Sequence, residues 1–219
     1  MALGLGLGTS KSGVGFTIDP STLSGRELDL DSELGITLVS GKVDVWADQS
    51  GNGNDFTPPA GINRPDYNVS SVIGDNVVTF DGTNDFINIT ANFTIRTLYV
   101  VFRNITHPNL FSGVVTSTNG SGVYNVGQNI LNTGANINAL SAISSLRQGG
   151  ASNFPTQAKA YALHTFLDTS WTSLQLAKDR NEATRLGNME MRRLLIFSTD
   201  HDENTRTGIL NFLNKTYKI

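Results

Sequence analysis

The chain has 219 residues, 38% of them hydrophobic, no cysteine, and a formal net charge of −3 at neutral pH. The lack of cysteine excludes disulfides, thiolate metal sites and cysteine nucleophiles. Its charges are mixed and nearly balanced, so we expect neither nucleic acid nor a membrane surface as a partner. No apolar run approaches the roughly 20 residues that span a bilayer, and residues 1–8 lack the positive charge typical of a secretion signal.

Residues 1–24 form a distinct segment in which Leu3, Leu5 and Leu7 alternate with glycine. Glycine loses much backbone entropy on ordering, so this segment gains little by folding on itself. It is either a flexible terminus or an arm whose leucines contact a neighbouring subunit by adding to it as a strand. The sequence therefore predicts an N-terminal arm over 1–24 and a single domain over 25–219.

Short stretches with strand-like alternation follow one another from residue 27 onward, separated by turn-forming residues. The predicted strands cover 27–31, 35–39, 42–46, 77–80, 86–89, 97–103, 113–118, 140–146, 160–167, 173–177 and 193–197. The run over 97–103 is apolar almost throughout, which is typical of a strand buried on both faces. Many short strands without a long internal helix indicate an all-β fold of two packed antiparallel sheets.

One helix is predicted at the C-terminal end of the chain. Asp200 is the expected N-cap, with Glu203 at the spacing of a capping box. Ile209, Leu210, Leu213 and Tyr217 then share one helical face, which we expect to pack on the sandwich.

The most informative stretch is 43–89, which reads V-D-V-W-A-D-Q-S-G-N-G-N-D-F, then R-P-D-Y, then V-V-T-F-D-G-T-N-D-F-I-N-I. We interpret the residues between Phe80 and Phe86 as a hairpin connection. Together with the C-terminal F-L-N-K-T-Y-K-I, these words resemble the concanavalin A-like lectin/glucanase superfamily, in the laminin-G-like form found in bacteriophage virion proteins and bacterial surface proteins. The resemblance implies a two-sheet antiparallel concanavalin A-like jelly-roll sandwich, and it buries Trp46 in the core.

Three functions stay open after this resemblance. The first is a non-enzymatic structural protein of a bacteriophage virion, a tail or capsid-surface component. Its partners would be other virion proteins and copies of itself, and it would be located in the virion. The second is a carbohydrate-binding module for host-surface glycans, for which Trp171 is the candidate stacking residue. The third is a glycan hydrolase.

The hydrolase alternative depends on Glu27, Asp29 and Asp31, because glucanases of the superfamily carry carboxylates at alternate positions of one strand. Alternation places such carboxylates on one face, about 6.6 Å apart for neighbouring pairs, which suits retaining hydrolysis. In the superfamily that motif belongs to a middle strand, whereas here the run opens the domain. We therefore predict no catalytic residues and interpret the run as an acidic, solvent-facing row.

Two polar loops, 48–55 and 81–85, contain candidate calcium ligands in Asp48, Asn52, Asp81 and Asp85. The first loop carries Pro59 where an EF-hand has its bidentate glutamate, so an EF-hand is excluded. Such side chains also bond their own backbone in tight turns. We predict turn chemistry and no cofactor, with a calcium ion at a rim of the sandwich as the alternative. The three histidines show no metal-ligand spacing.

Overall fold

The computed structural model describes residues 15–71, 74–104, 116–119, 122–125, 141–142, 159–164, 170–171, 173–178 and 186–218. The strands in these ranges are β1 (Arg26–Asp31), β2 (Ile36–Val39), β3 (Lys42–Trp46), β4 (Asp66–Val69), β5 (Asn76–Asp81), β6 (Ile87–Ile89), β7 (Phe93–Thr94), β8 (Thr97–Asn104), β9 (Thr116–Asn119), β10 (Gly122–Asn125), β11 (Ser141–Ala142), β12 (Lys159–His164), β13 (Ser170–Trp171), β14 (Ser173–Leu176) and β15 (Asn188–Phe197). Helix α1 covers Glu203–Tyr217.

The strands form two main sheets with antiparallel pairing throughout the described ranges. The larger sheet has the order β11-β12-β8-β15-β5-β4-β3-β2, with β1 paired to β15 beside this path. The smaller sheet has the order β10-β9-β14-β6, and β13 pairs with β7 in a separate short ribbon. The predicted all-β sandwich with a C-terminal helix is confirmed.

The main core lies between the two sheets, and β8 shows how the sequence builds it. Leu98, Val100 and Phe102 point into this core, where they meet Leu174 and Leu176 of the smaller sheet. The intervening residues of β8 point to the opposite face and are equally buried. Burial on both faces explains the nearly unbroken apolar run, as the sequence predicts.

Helix α1 covers the outer face of the larger sheet. Its residues Ile209, Leu213 and Tyr217 are buried against Tyr99 and Leu195 in a second apolar cluster. The predicted apolar face of the helix is therefore confirmed. No helix in the described ranges is long and apolar enough to cross a membrane.

The predicted N-cap of α1 is wrong by two residues. The cap is Asp202, whose carboxylate accepts a hydrogen bond from the N–H of Thr205 at 2.7 Å. Asp200 instead forms an ion pair with Arg96, which directly precedes β8. Since Glu203 is the first helical residue, it cannot reach back as the partner in a capping box.

The polar loop between Phe80 and Phe86 is not a hairpin connection. It joins β5 in the larger sheet to β6 in the smaller one, so the two flanking strands do not pair. Phe80 and Ile87 enter the main core from opposite sheets. Turn-forming residues between two strands fit both a hairpin and a crossover, and inter-sheet packing selects the crossover here.

Residues 15–24 lie against α1. The N–H of Ile18 donates to the carbonyl of Gly208 at 3.0 Å, and Asn211 Nδ2 donates to the carbonyl of Phe16 at 3.0 Å. A side chain at Gly208 would approach Ile18 Cγ1 to 2.7 Å, so glycine is needed for this close contact. Leu3, Leu5 and Leu7 lie outside the described residues, and the arm boundary stays a prediction.

Candidate functional site

The acidic row on β1 is buried rather than solvent-facing. The exposed fractions are only 1% for Asp29 and 7% for Asp31, while Glu27 is half-buried. The alternation does place the carboxylates on one face, opposite Leu28 and Leu30 in the main core. That face is the one that α1 covers, and this is why the prediction of a solvated row is wrong.

Asp29 is held by two arginines. Arg193 on β15 donates from Nε and Nη2 to the two carboxylate oxygens, at 3.1 and 2.9 Å. Arg26 donates from Nη1 at 3.0 Å. A two-pronged arginine contact is the strongest form of carboxylate pairing, because both oxygens are satisfied in a fixed geometry.

Asp31 extends the same cluster to the helix. Its carboxylate forms an ion pair with Arg192 and lies 3.3 Å from Arg193 Nη1. Tyr217 of α1 donates its hydroxyl hydrogen to Asp31 Oδ2 at 3.2 Å and accepts from Arg193 Nη1 at 2.9 Å. The cluster therefore joins β1, β15 and α1.

Electrostatics in this buried ion-pair cluster follow from removal of water. Burial raises the pKa of Asp29 above its usual range, although Arg193 opposes the shift. Burial also raises the pKa of the Tyr217 hydroxyl to about 12. Both groups are saturated by protein partners and sealed from solvent. Acid–base work on a glycosidic bond needs carboxyls that reach the substrate, so this arrangement serves to fix strands and helix together.

The loop over 48–55 is organised by Asp48. Its Oδ1 accepts from the backbone N–H of Asp29 at 2.9 Å and of Ser50 at 2.8 Å, and its Oδ2 accepts from the N–H of Asn54 at 3.1 Å. Asn52 Nδ2 donates to the carbonyl of Arg26 at 2.9 Å. The predicted turn chemistry is confirmed, and it also ties this loop to β1.

The loop over 81–85 uses the same chemistry. Asp81 Oδ1 accepts from the N–H groups of Thr83, Asn84 and Asp85 at 2.7, 3.1 and 3.3 Å. Burial on its own would raise the pKa of Asp81, but these three donors hold that pKa below its ordinary value. Burial, with the nearby charge of Asp81, raises the pKa of Asp85 to about 6. The two neighbouring carboxylates thus differ in how readily they take up a proton.

Among the described residues there is no group of three or more His, Cys, Asp or Glu side chains suited to hold a metal ion. The carboxylate oxygens of Asp48 and Asp81 already accept hydrogen bonds from backbone N–H groups. A calcium ion would have to displace these hydrogen bonds or share the oxygens with them. The calcium alternative at Asp48, Asn52, Asp81 and Asp85 stays untested.

The two tryptophans have different outcomes. Trp46 is fully buried, and its Nε1–H donates to the carbonyl of Asp31 at 3.1 Å, so its predicted core role is confirmed. Trp171 lies on β13 opposite Phe93 of β7. Its side chain is outside the described part of the structure, so its role in sugar stacking stays a prediction.

An open cleft of about 340 Å³ lies where α1 begins. Its lining combines one apolar side chain with hydroxyl, carboxyl and imidazole groups, from Leu23, Ser24, Thr199, Asp200, His201, Asp202 and Thr205. His201 Nδ1 lies 2.7 Å from the Tyr99 hydroxyl, and burial lowers the pKa of this histidine to about 4. The ring is therefore neutral at physiological pH. The cleft can exchange hydrogen bonds with the hydroxyl groups of a ligand.

Sequence reasoning missed Arg192 and Arg193 as the partners of the acidic row. A signal was present, because two adjacent arginines interrupt the apolar run M-R-R-L-L-I-F of β15. Charges inside a buried strand need partners. The E-L-D-L-D run supplies the matching charges, although nothing in the sequence alone pairs β1 with β15.

No protein-family model matches the chain, and no curated protein matches it. Among solved structures, it is similar to a carbohydrate-binding module, CBM32-1, from a family 31 glycoside hydrolase of Clostridium perfringens. The similarity covers 59% of this chain and 80% of that one, at 11% sequence identity and a TM-score of 0.33. At so low a TM-score we draw no inference from that module, and the fold assignment rests on the strands and sheets themselves.

Proposed function

We propose that the chain is a non-enzymatic structural protein of a bacteriophage virion, a tail or capsid-surface component that assembles with copies of itself and with other virion proteins. The observation that carries a structural role is the buried ion-pair cluster. Asp29 and Asp31, the carboxylates that a hydrolase would need, are bonded to Arg192 and Arg193 beneath α1. In this fold they act as cross-links.

Support for the virion setting comes from the resemblance of the words over 43–89 and at the C-terminal end to domains of phage particles. The residues of those sequence motifs have structural roles in this fold. Trp46 fills the core, Asp48 and Asp81 fix turns, and Tyr217 anchors α1. A domain whose distinctive residues build its scaffold suits a component that must be rigid and present in many copies.

Mass spectrometry of purified particles tests this role. A host culture producing phage from a genome that encodes the chain is fractionated, and particles are separated from free protein on a density gradient. We expect the chain to co-purify with the capsid and tail proteins in multiple copies per particle. Its presence in the lysate but absence from particles that contain the other structural proteins would refute a virion role.

Carbohydrate binding is the second candidate, and the cleft beside α1 is the observation that favours it. Ser24, Thr199 and Asp200 there offer hydroxyl and carboxylate groups next to the apolar Leu23. Sugars present hydroxyl groups beside apolar ring faces, so this mixture matches their surface. The Trp171 platform is a separate candidate for the same activity.

A glycan array probed with the full chain tests this second role. The variant Ser24→Tyr places a large side chain at the cleft, whereas Ser71→Tyr, at another exposed serine, is its matched control. If the cleft binds glycans, Ser24→Tyr abolishes the array signal and Ser71→Tyr keeps it. Loss of signal only in Trp171→Ala would assign binding to the platform, and no signal for the parent chain would remove this candidate.

The hydrolase alternative is tested by reducing-sugar release from β-glucans. We expect no release above that of buffer, because both buried carboxylates of the row are paired with arginine. Release by the parent chain that disappears in Glu27→Gln would contradict our proposal.

A further inference from the structure

Strand β2, at one end of the larger sheet, carries exposed apolar side chains. In the described part of the chain β2 is the last strand in the order of the larger sheet, and it pairs with β3 and with no further strand. The side chains around this edge expose large fractions of their surface: 52% for Leu34, 43% for Leu38 and 40% for Val39. An exposed apolar edge strand is a template for pairing with another chain.

The backbone of β2 is arranged for such pairing. Gly35 accepts from the N–H of Ala47 at 2.9 Å, and Val39 pairs with Lys42 across a two-residue turn. Residues 35, 37 and 39 therefore direct their backbone groups towards β3. Since successive residues point in opposite directions, Ile36 and Leu38 direct theirs to the free edge.

Three common obstacles to edge pairing are absent from β2. Residues 34–41 contain neither a charged residue nor a proline. The irregularity in the β2–β3 register adds its extra residue, Asp44, on β3, so β2 itself keeps a regular edge. Natural proteins block edge pairing with inward charges, prolines or bulges on the edge strand, and those devices do not occur here.

The charges that flank β2 make the edge complementary to itself. Glu33 precedes the uncharged stretch and Lys42 follows it. Both keep exposed side chains, 40% for Glu33 and 44% for Lys42, although each already has an intramolecular partner. An antiparallel arrangement of two copies brings Glu33 of one near Lys42 of the other, at both ends of the pair. A parallel arrangement would instead bring like charges together.

We infer that β2 is a self-association surface, at which two copies of the chain pair their β2 strands antiparallel across a two-fold axis. The free backbone groups of Ile36 bond those of Leu38 in the second copy, and Leu38 bonds Ile36 in return. This register places Thr37 opposite Thr37 on the axis. Such a contact is isologous, so it closes as a dimer and joins the two larger sheets into one. It does not depend on the virion role and can fail or hold separately from it.

A charge-swap at Thr37 tests the pairing. The residue is exposed and its side chain is small, so Thr37→Asp and Thr37→Arg leave the core unchanged. Each variant alone sets like charges opposite each other on the axis, and we expect the dimer dissociation constant to rise at least about tenfold. A 1:1 mixture of the two sets opposite charges on the axis, and we expect a mixed dimer. Sedimentation of the full chain across micromolar concentrations measures all three.

Matched controls are Thr207→Asp and Thr207→Arg on the exposed surface of α1, which should dimerise like the parent.

Hydrogen exchange gives an independent readout. The amides of Ile36 and Leu38 should exchange more slowly as concentration rises, whereas that of Thr37, which faces β3, should not change. A monomeric parent chain would overturn the inference, and so would a dimer that survives both Thr37 variants. Loss of the dimer on deleting residues 2–8, with the Thr37 variants unaffected, would assign the contact to the N-terminal arm.

Discussion

Asp29 lies in the buried ion-pair cluster, where it accepts hydrogen bonds from Arg193 and Arg26. The alternation of β1 correctly predicts that Asp29 and Asp31 share a face opposite Leu28 and Leu30. It could not predict that this face is covered, because Arg193, which bonds both carboxylate oxygens of Asp29, lies 164 residues away in the chain. Burial of a charge is decided by a distant partner, and the local pattern contains no information about it.

We predict that Asp29→Asn strongly destabilises the fold. The substitution leaves Arg193 buried without its full counter-charge, and breaking a buried pair from one side costs about 3–5 kcal/mol. Denaturant unfolding followed by circular dichroism measures the change in the free energy of unfolding. The control is Asp44→Asn, which removes the partly exposed ion pair with Arg64 and should cost less than about 1 kcal/mol. Equal costs for the two variants would contradict a buried role for Asp29.

Asp85 gives a prediction about pH. Its pKa is about 6 in the folded chain, against about 4 for an unfolded aspartate. Between these values the folded state takes up a proton that the unfolded state does not, so the fold gains stability as pH falls from 7 to 4 through this group. The contribution amounts to at most about 3 kcal/mol. It is absent above pH 7, where the buried carboxylate is charged in both states.

The variant Asp85→Asn lacks this titration. We expect it to be at least as stable as the parent at pH 7, because the amide oxygen can still accept from the N–H of Asp81. Its advantage should shrink as pH falls to 4, measured as the difference in unfolding free energy at each pH. The control is Asp75→Asn, which removes an exposed carboxylate of the same type. A difference that stays constant with pH would show that Asp85 has an ordinary pKa.

Helix α1 shows what sequence can predict about an element. The spacing of Ile209, Leu213 and Tyr217 correctly predicts the helix and its buried face. The start was misplaced because Asp200 and Asp202 are both good caps, and only the ion pair of Asp200 with Arg96 separates them. The turn-forming residues between β5 and β6 are ambiguous in the same way, because they fit the predicted hairpin as well as the observed crossover between sheets.

Cap substitutions test the observed helix start. We predict that Asp202→Ala lowers the melting temperature by about 2–4 °C, because the N–H of Thr205 loses its acceptor. Asp200→Ala removes an exposed ion pair and should change the melting temperature less. Thermal unfolding followed by circular dichroism at 222 nm measures both. A larger effect of Asp200→Ala would restore the capping box that the sequence suggested.

The two polar loops predict the response to calcium. Since Asp48 and Asp81 already accept from backbone N–H groups, we expect chelator to leave the melting temperature unchanged. A bound ion at a hundredfold excess over its dissociation constant would instead add about 2.7 kcal/mol. Differential scanning fluorimetry with chelator and with added calcium distinguishes these outcomes. A rise of several degrees on adding calcium to chelated protein would establish a rim site.

At the scale of the whole molecule, periodicity predicts the class of fold but not the order of its strands. Alternation and turn residues suffice for a sandwich, and the run of β8 even predicts burial on both faces. The pairing of β1 with the far end of β15 depends on inter-sheet packing and on the ion pairs of Asp29 and Asp31. The second apolar layer is also a product of tertiary contacts, and it includes Ile18 and Leu23 from the segment predicted as an arm.

Truncation tests which part of that segment belongs to the domain. Removing residues 2–14 should leave the free energy of unfolding nearly unchanged, whereas removing 2–24 should lower it by about 2 kcal/mol, because Ile18 and Leu23 leave the apolar layer under α1.

The substitution Gly208→Ala gives a more specific test of the same contact. In the longer chain the added methyl group would crowd Ile18 at 2.7 Å, which offsets the better helix propensity of alanine. In the chain beginning at residue 25 that crowding is gone, and the same substitution should stabilise by about 1 kcal/mol. An equal effect of Gly208→Ala in both chains would mean that residues 15–24 do not rest on the helix in solution.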